Sequence, residues 1–182
     1  IYTAKQTRPL SIVDTSIRLV ASSHRMSVEV VLGNWFSTPQ KGFIRDSSML
    51  ANILDFDFAS RIAACSTMRP LLALFDFQAA FPSIYHSFMW DTLWRIGLPI
   101  KPIRAYKCFY RHNGQLVRLC SATSAGLDSL SGVRQGCPLS PLLFAVVMDI
   151  LLRHLASVYL GQTLRAFADD IGMVLSRIEL FP

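Results

Sequence analysis

The length of 182 residues suits one domain with a substantial core and gives no reason to split it in two, while 52% hydrophobic and only 16% charged residues are apolar for such a domain and point to surface that something else normally covers. A formal net charge of +6 permits a polyanionic partner such as nucleic acid without demonstrating one. Cys65, Cys108, Cys120 and Cys137 form no C-x-x-C pair, which argues against structural zinc, so they read as buried thiols.

From the N-terminus, Ile1 opens no basic region leading into an apolar stretch, so no secretory signal is visible. Ser11 to Leu32 carries Ile17, Val20, Met26 and Val30 at roughly helical spacing, with Asp14 or Thr15 as the cap. A second helix is expected over Ser47 to Cys65, with Met49, Leu50, Ile53, Leu54 and Phe58 as its apolar face, ending before Arg69-Pro70. Leu71 to Phe75 is a continuous apolar run of strand length, expected to be covered on both faces and to deliver Asp76 at its end.

Pro82-Ser83 can start a helix that Gly97 stops, and Ile100 to Tyr110 suits another. Gln115 to Ala122 alternates as a strand does, and Ser121 to Gly132 has linker composition. Pro141 to Leu160 is the most hydrophobic segment; because Asp149, Arg153 and His154 interrupt it, it reads as a buried helix rather than a membrane span. Thr163 to Ala168 and Ile171 to Leu175 flank Asp169-Asp170 as a hairpin. Strands and helices mix without strict alternation, which predicts an α+β fold.

Asp76 at one strand end and Asp169-Asp170 at a hairpin turn are three carboxylates on two elements. Packed in one sheet, their ends can meet, and carboxylates that meet favour a hard divalent cation bound through oxygen. Aspartate is also an ordinary turn residue, and spacing alone leaves both readings open.

The surrounding wording narrows the choice. Gly132-Val133-Arg134-Gln135-Gly136-Cys137-Pro138-Leu139-Ser140-Pro141-Leu142-Leu143-Phe144 closely resembles a motif of non-LTR retrotransposon reverse transcriptases and their relatives. Phe167-Ala168-Asp169-Asp170 is similar to that family's aromatic-A-D-D box, and Phe75 to Phe81 to its first catalytic motif. Arg8-Pro9-Leu10-Ser11 and Gln40-Lys41-Gly42-Phe43-Ile44 resemble its fingers motifs. The five stand in family order from Arg8 to about Leu175.

The resemblance implies a right-hand polymerase fold in which residues 1–70 are mainly fingers and 71–182 mainly palm, an antiparallel palm sheet packed on helices. It implies RNA-templated DNA synthesis with two Mg2+ ions, an RNA template, a DNA primer and dNTPs, within a larger polyprotein acting in the nucleus and with no membrane partner. Asp76 and Asp169 are then expected to bind both ions with the main-chain carbonyl of Phe77, and Asp170 to support them. Phe81 matches the aromatic gate against a ribose 2′-hydroxyl, Gln135 the contact to the incoming nucleotide, and Arg8 a ligand of its triphosphate. Arg18 and Arg25 are expected near template phosphates.

Some positions depart from the pattern: Asp46-Ser47 replaces a usual G-R, Ala79 a common lysine and Pro82 a frequent aspartate. The last Asp is followed by only twelve residues, so the chain is expected to be a fragment without a thumb, inactive alone and prone to aggregate. Two other readings are a non-catalytic nucleic-acid-binding relic and a piece of a group II intron maturase-type enzyme.

Overall fold

The computed structural model describes residues 12–111, 114–128 and 130–181. Among the described residues six α-helices and five strands follow in the order α1 (Thr15–Leu32), α2 (Met49–Ser66), β1 (Leu71–Phe75), α3 (Ala80–Ser83), α4 (His86–Arg95), α5 (Ile100–Tyr110), β2 (Gly114–Leu119), β3 (Ala122–Asp128), α6 (Ser140–Val158), β4 (Thr163–Phe167) and β5 (Asp170–Leu175), with a short 3-10 turn at Ile178–Leu180. The α+β class is as expected, and Asp14 caps α1 by accepting from the Ser16 amide at 2.8 Å. That hydrogen bonding, led by the Ser16 hydroxyl, holds the Asp14 carboxyl below its usual pKa.

One antiparallel sheet runs β1-β5-β4, with Phe75 opposite Ile171 and Phe167 opposite Asp170; β2 and β3 form a separate hairpin. The central strand is therefore β5, buried from Ile171 to Leu175, and β1 is an edge. This corrects the expectation that β1 is covered on both faces: Leu72 and Leu74 are exposed. A continuous apolar run does not separate a central strand from an edge whose face is open.

Three further expectations change. The stretch read as a linker contains β3, a strand of small and polar residues (Ala-Thr-Ser-Ala-Gly-Leu-Asp) with little β signal of its own, held by pairing with β2. The helix read as starting near Pro82 is two pieces, α3 and α4, separated by extended residues at 84–85. Of the cysteines only Cys137 is buried.

The core gathers around α6, which by length and composition alone could cross a membrane. Here Leu142 to Met148 pack inside the protein and Asp149 is fully buried among hydrogen bonds, so α6 serves as a core helix. By contrast α2 has no single apolar face, mixes exposed apolar residues with Asp55, Asp57 and Arg61, and buries only Asn52. Its Met49, Leu50, Ile53, Leu54 and Phe58, read as a core-facing stripe, are all exposed. Together with Leu72 and Leu74 they make much apolar surface solvent-facing, the composition of a surface that another element covers.

Two buried tyrosines give a test of the core. Burial pushes both phenols up to about 12, but the Tyr110 hydroxyl shares a 3.1 Å hydrogen bond with Ser140 whereas that of Tyr106 has no partner among the described residues. Tyr106→Phe removes an unsatisfied polar atom without changing the ring, so it should raise stability by about 1 kcal/mol, while Tyr110→Phe should not. The unfolded chain releases these protons near pH 10 and the folded one near pH 12. Stability is thus complete below pH 10 and falls between pH 10 and 12. Urea unfolding across that window checks both points, and an unchanged or lowered midpoint for Tyr106→Phe would contradict the first.

Candidate active site

Two residues, Ala168 and Asp169, close the β4–β5 hairpin, because Phe167 and Asp170 are the last paired positions. Ala168 sits at φ +59, a left-handed conformation that costs a residue with a Cβ about 1 kcal/mol or more. It is held there by neighbours. The backbone of Gly42 lies so close that an added Cβ would stand 1.9 Å from the Ala168 nitrogen.

The segment leading to Gly42 clasps the hairpin. Gln40 forms a parallel bridge with Ala166; the Ala166 amide donates to the Pro39 carbonyl at 2.9 Å, and its carbonyl accepts from the Lys41 amide at 3.0 Å. The Asn52 amide group donates to that same carbonyl at 3.1 Å, and the buried Gln40 side chain accepts from the Gly42 amide at 2.7 Å. The structural roles of Gln40, Gly42 and Asn52 are not evident from sequence reasoning. For Asn52 the available signal was a lone amide within an otherwise apolar run of α2.

Asp76 follows the Phe75–Ile171 pair and so leaves β1 beside Asp170, which opens β5. Both line a cavity of about 350 Å³ between α2 and the sheet, whose other walls include Asn52, Phe56, Phe75 and Phe167. Asp169 lies in the adjoining turn, outside the cavity wall. The three acids therefore share one sheet end, although among the described residues no three His, Cys, Asp or Glu side chains close into a metal cage.

These three carboxylates, like Asp128, lack the partners that the other acids among the described residues have. Asp55, Asp57, Asp91 and Asp149 pair with Arg165, Arg61, Arg95 and Arg153 at 2.7 to 3.3 Å. Among the described residues Asp76, Asp169 and Asp170 accept no hydrogen bond and meet no basic side chain. Arg165 lines the same cavity but is engaged by Asp55.

A second group borders α3. The Gly132 amide donates to the Ile84 carbonyl at 2.7 Å and the Val133 amide to the Phe81 carbonyl at 2.9 Å, docking the glycine-rich loop on this helix. Gly132, at φ +84, has no room for a Cβ against Pro82. Phe81 stacks on Phe144 at 4.6 Å with rings 4° apart and meets the edge of Phe43 at 5.9 Å, so the ring is half-buried and held rigid. Gln135 is half-buried with no side-chain hydrogen bond among the described residues, and Phe77 is exposed.

Arg25 is occupied within the protein, by Glu29 and the Pro138 carbonyl, each at 3.4 Å, whereas Arg18 is exposed and unpaired among the described residues. Arg8 and its motif lie outside the described residues.

Residues 3–179 match the family described as reverse transcriptase (RNA-dependent DNA polymerase). The chain belongs to that family. This reverse transcriptase chain is 30% identical over 149 residues, 81% of its length, to the Retrovirus-related Pol polyprotein from type-1 retrotransposable element R2 of Nasonia vitripennis. It is 30% identical over 172 residues, 90% of its length, to the Retrovirus-related Pol polyprotein from type-2 retrotransposable element R2DM of Drosophila melanogaster. It spans only 14% and 16% of those relatives' own length. A solved structure, apo telomerase from Candida tropicalis truncated from its C-terminal domain, aligns with 91% of this chain and 35% of that one at 12% identity and a TM-score of 0.44.

The clasp over the reverse transcriptase hairpin yields a direct expectation. Gly42→Ala places a methyl against backbone rather than a flexible side chain, so the Ala168-Asp169 turn must move. Overpacking of this kind costs roughly 1–3 kcal/mol. A thermal unfolding scan should show the loss, and a midpoint equal to wild type would mean that the clasp is looser than this contact demands.

Proposed function

We propose that this chain is the fingers-palm part of an enzyme that copies an RNA template into DNA, extending a DNA primer with dNTPs and two Mg2+ ions. The observation that carries the reading is the set of unpartnered carboxylates at one sheet end, Asp76 beside Asp170 with Asp169 in the adjoining turn. Leaving three acids there without a cation or donor has no evident stabilising value, and it is what a site for a doubly charged ion requires.

The donor set fits magnesium. It is oxygen only, and Mg2+ is usually held by one or two protein carboxylates while waters and substrate phosphates complete the shell. Asp76 and Asp169 would hold both ions with the Phe77 carbonyl, and Asp170 would stand beside them. Bound there, the metal supplies activation of the attacking 3′-hydroxyl and neutralisation of charge on the departing pyrophosphate.

The chain's own part is positioning. Phe81, pinned by Phe144 and Phe43, offers a ring that cannot swing away, as exclusion of a 2′-hydroxyl demands. Gln135 has an uncommitted amide for the incoming nucleotide, and Arg8 is assigned to its triphosphate. The clasp of Gln40 and Gly42 keeps the acidic turn in one place, and fixed placement of reacting groups accounts for much of the acceleration in such reactions. RNA-templated extension by the full-length protein carrying Asp76→Asn tests the reading, and undiminished synthesis would refute it.

A further inference from the structure

Four helices hold an arginine in an ion pair along the helix, with Arg18 of α1 left unpaired, whereas among the described residues α5 pairs none of its basic residues. In α1, α2, α4 and α6 an arginine pairs with an acid four residues away: Arg25–Glu29, Arg61–Asp57, Arg95–Asp91 and Arg153–Asp149. Helix α5 and the residue after it carry Lys101, Arg104, Lys107 and Arg111, all exposed, and no acid pairs with any of them among the described residues. At 100° per residue Arg104, Lys107 and Arg111 fall within about 60° of one another on the helix surface.

Helix stability does not account for this stripe. Cations favour the last turn of a helix, which suits Lys107, but Lys101 sits in the first turn, where the helix dipole opposes a positive charge. Like charges at this spacing also repel.

Beside the stripe runs a groove of about 350 Å³ between α4 and α5, lined by Trp90, Trp94, Ile100, Ile103, Lys107 and Asp91. Trp94 is 62% exposed, an unusual state for the largest apolar side chain, and Trp90 is set edge-on to Tyr110 at 5.6 Å. The one acid on the groove, Asp91, is neutralised by Arg95 at 2.7 Å. The groove shares no lining residue with the cavity of Asp76 and Asp170.

We infer that this groove is a second nucleic-acid contact, holding single-stranded RNA outside the acidic cavity. Its bases stack on Trp94 and its phosphates lie along Arg104, Lys107 and Arg111. A flat exposed indole recognises any base face, and an uninterrupted run of cations tracks a backbone, the pair of features that binds single strands without sequence preference. The inference deepens the proposed copying function, from which it takes only the identity of the strand.

The test uses a labelled 20-nucleotide single-stranded RNA of mixed sequence and the full-length protein. Arg104→Ala/Lys107→Ala/Arg111→Ala should weaken binding at least tenfold and reduce the slope of log affinity against log salt by about 2, since each phosphate contact on a single strand contributes about 0.7. Trp94→Ala should weaken it roughly 5- to 150-fold, the range for one stacked base. RNA should quench tryptophan emission in the wild type and markedly less in Trp94→Phe.

Arg104→Lys/Lys107→Arg/Arg111→Lys should keep the wild-type slope. Should the alanine set fail to fold, the Trp94→Phe quench decides alone. Unchanged slope and quench overturn the inference, as does an equal loss of affinity for a blunt RNA duplex, which cannot stack its bases there. Asp76→Asn should leave all of this binding intact, so failure of the groove and failure of the catalytic reading give different results.

Discussion

The full-length protein carrying Asp76→Asn should keep its fold and its affinity for template and primer while RNA-templated extension falls by about a thousandfold or more. The size follows from the proposed role: losing a carboxylate that would hold the metals removes several kcal/mol of transition-state stabilisation, and each 1.4 kcal/mol is a factor of ten. The intact fold follows from the position. Asp76 is exposed at a strand end and bonded to nothing among the described residues, so an isosteric amide leaves no cavity and no orphaned donor. Asp169→Asn should behave alike, and Asp170→Asn should lose less, since the proposed reading gives it a supporting role rather than that of a metal ligand. Single-turnover extension with a parallel thermal scan separates chemistry from folding. Activity within tenfold of wild type in Asp76→Asn would end the assignment.

Much of the fold was legible because its elements carry strong local signals. The residues Ile100–Tyr110 form a helix as read, α6 differs from the reading by a residue or two at each end, and the β4–β5 hairpin stands where the acidic turn placed it. What failed depended on distant partners. β3 has almost no strand propensity and exists through its ladder with β2. The apolar residues of α2 and β1 promised burial, yet burial also requires a covering surface, and among the described residues there is none over Leu50, Leu54, Phe58 or Leu74. That exposed surface supports the expectation that the isolated chain aggregates.

For the candidate site, the wording of the motifs singled out Asp76, Asp169, Asp170, Phe81 and Gln135, and the fold brings Asp76 and Asp170 to one cavity with Asp169 next to it. Nothing in the wording could show that these acids lack partners while others are paired, since Asp169 and Asp91 look alike until their neighbours are known. The same holds for Gly42. Its role is a 1.9 Å conflict avoided with a residue 126 positions later in the sequence, which local pattern does not encode.

Asp149→Ala should be the most damaging single change to stability, costing about 3–5 kcal/mol. Asp149 is fully buried, accepts from the Ser37 amide at 3.1 Å and from its hydroxyl, and pairs with Arg153 at 2.8 Å. Arg153 in turn donates to the Trp35 carbonyl and lies 4.6 Å over the Trp35 ring. One carboxylate thus ties the connection after α1 to the core helix, and truncating it strands two donors and a guanidinium at once. For a domain of this size the loss corresponds to a fall in melting temperature of roughly 6–20 °C. Arg153→Ala should cost nearly as much, because it leaves the buried carboxylate uncompensated, and the double replacement should cost less than the sum of the two. The damage should also reach the site, since the tethered connection runs on within a few residues to Gln40 and Gly42, which clasp the acidic turn. At a temperature where Asp149→Ala is still folded, extension should therefore fall more than its folded fraction predicts. Activity that tracks the folded fraction alone would confine Asp149 to stability and separate the tether from the clasp.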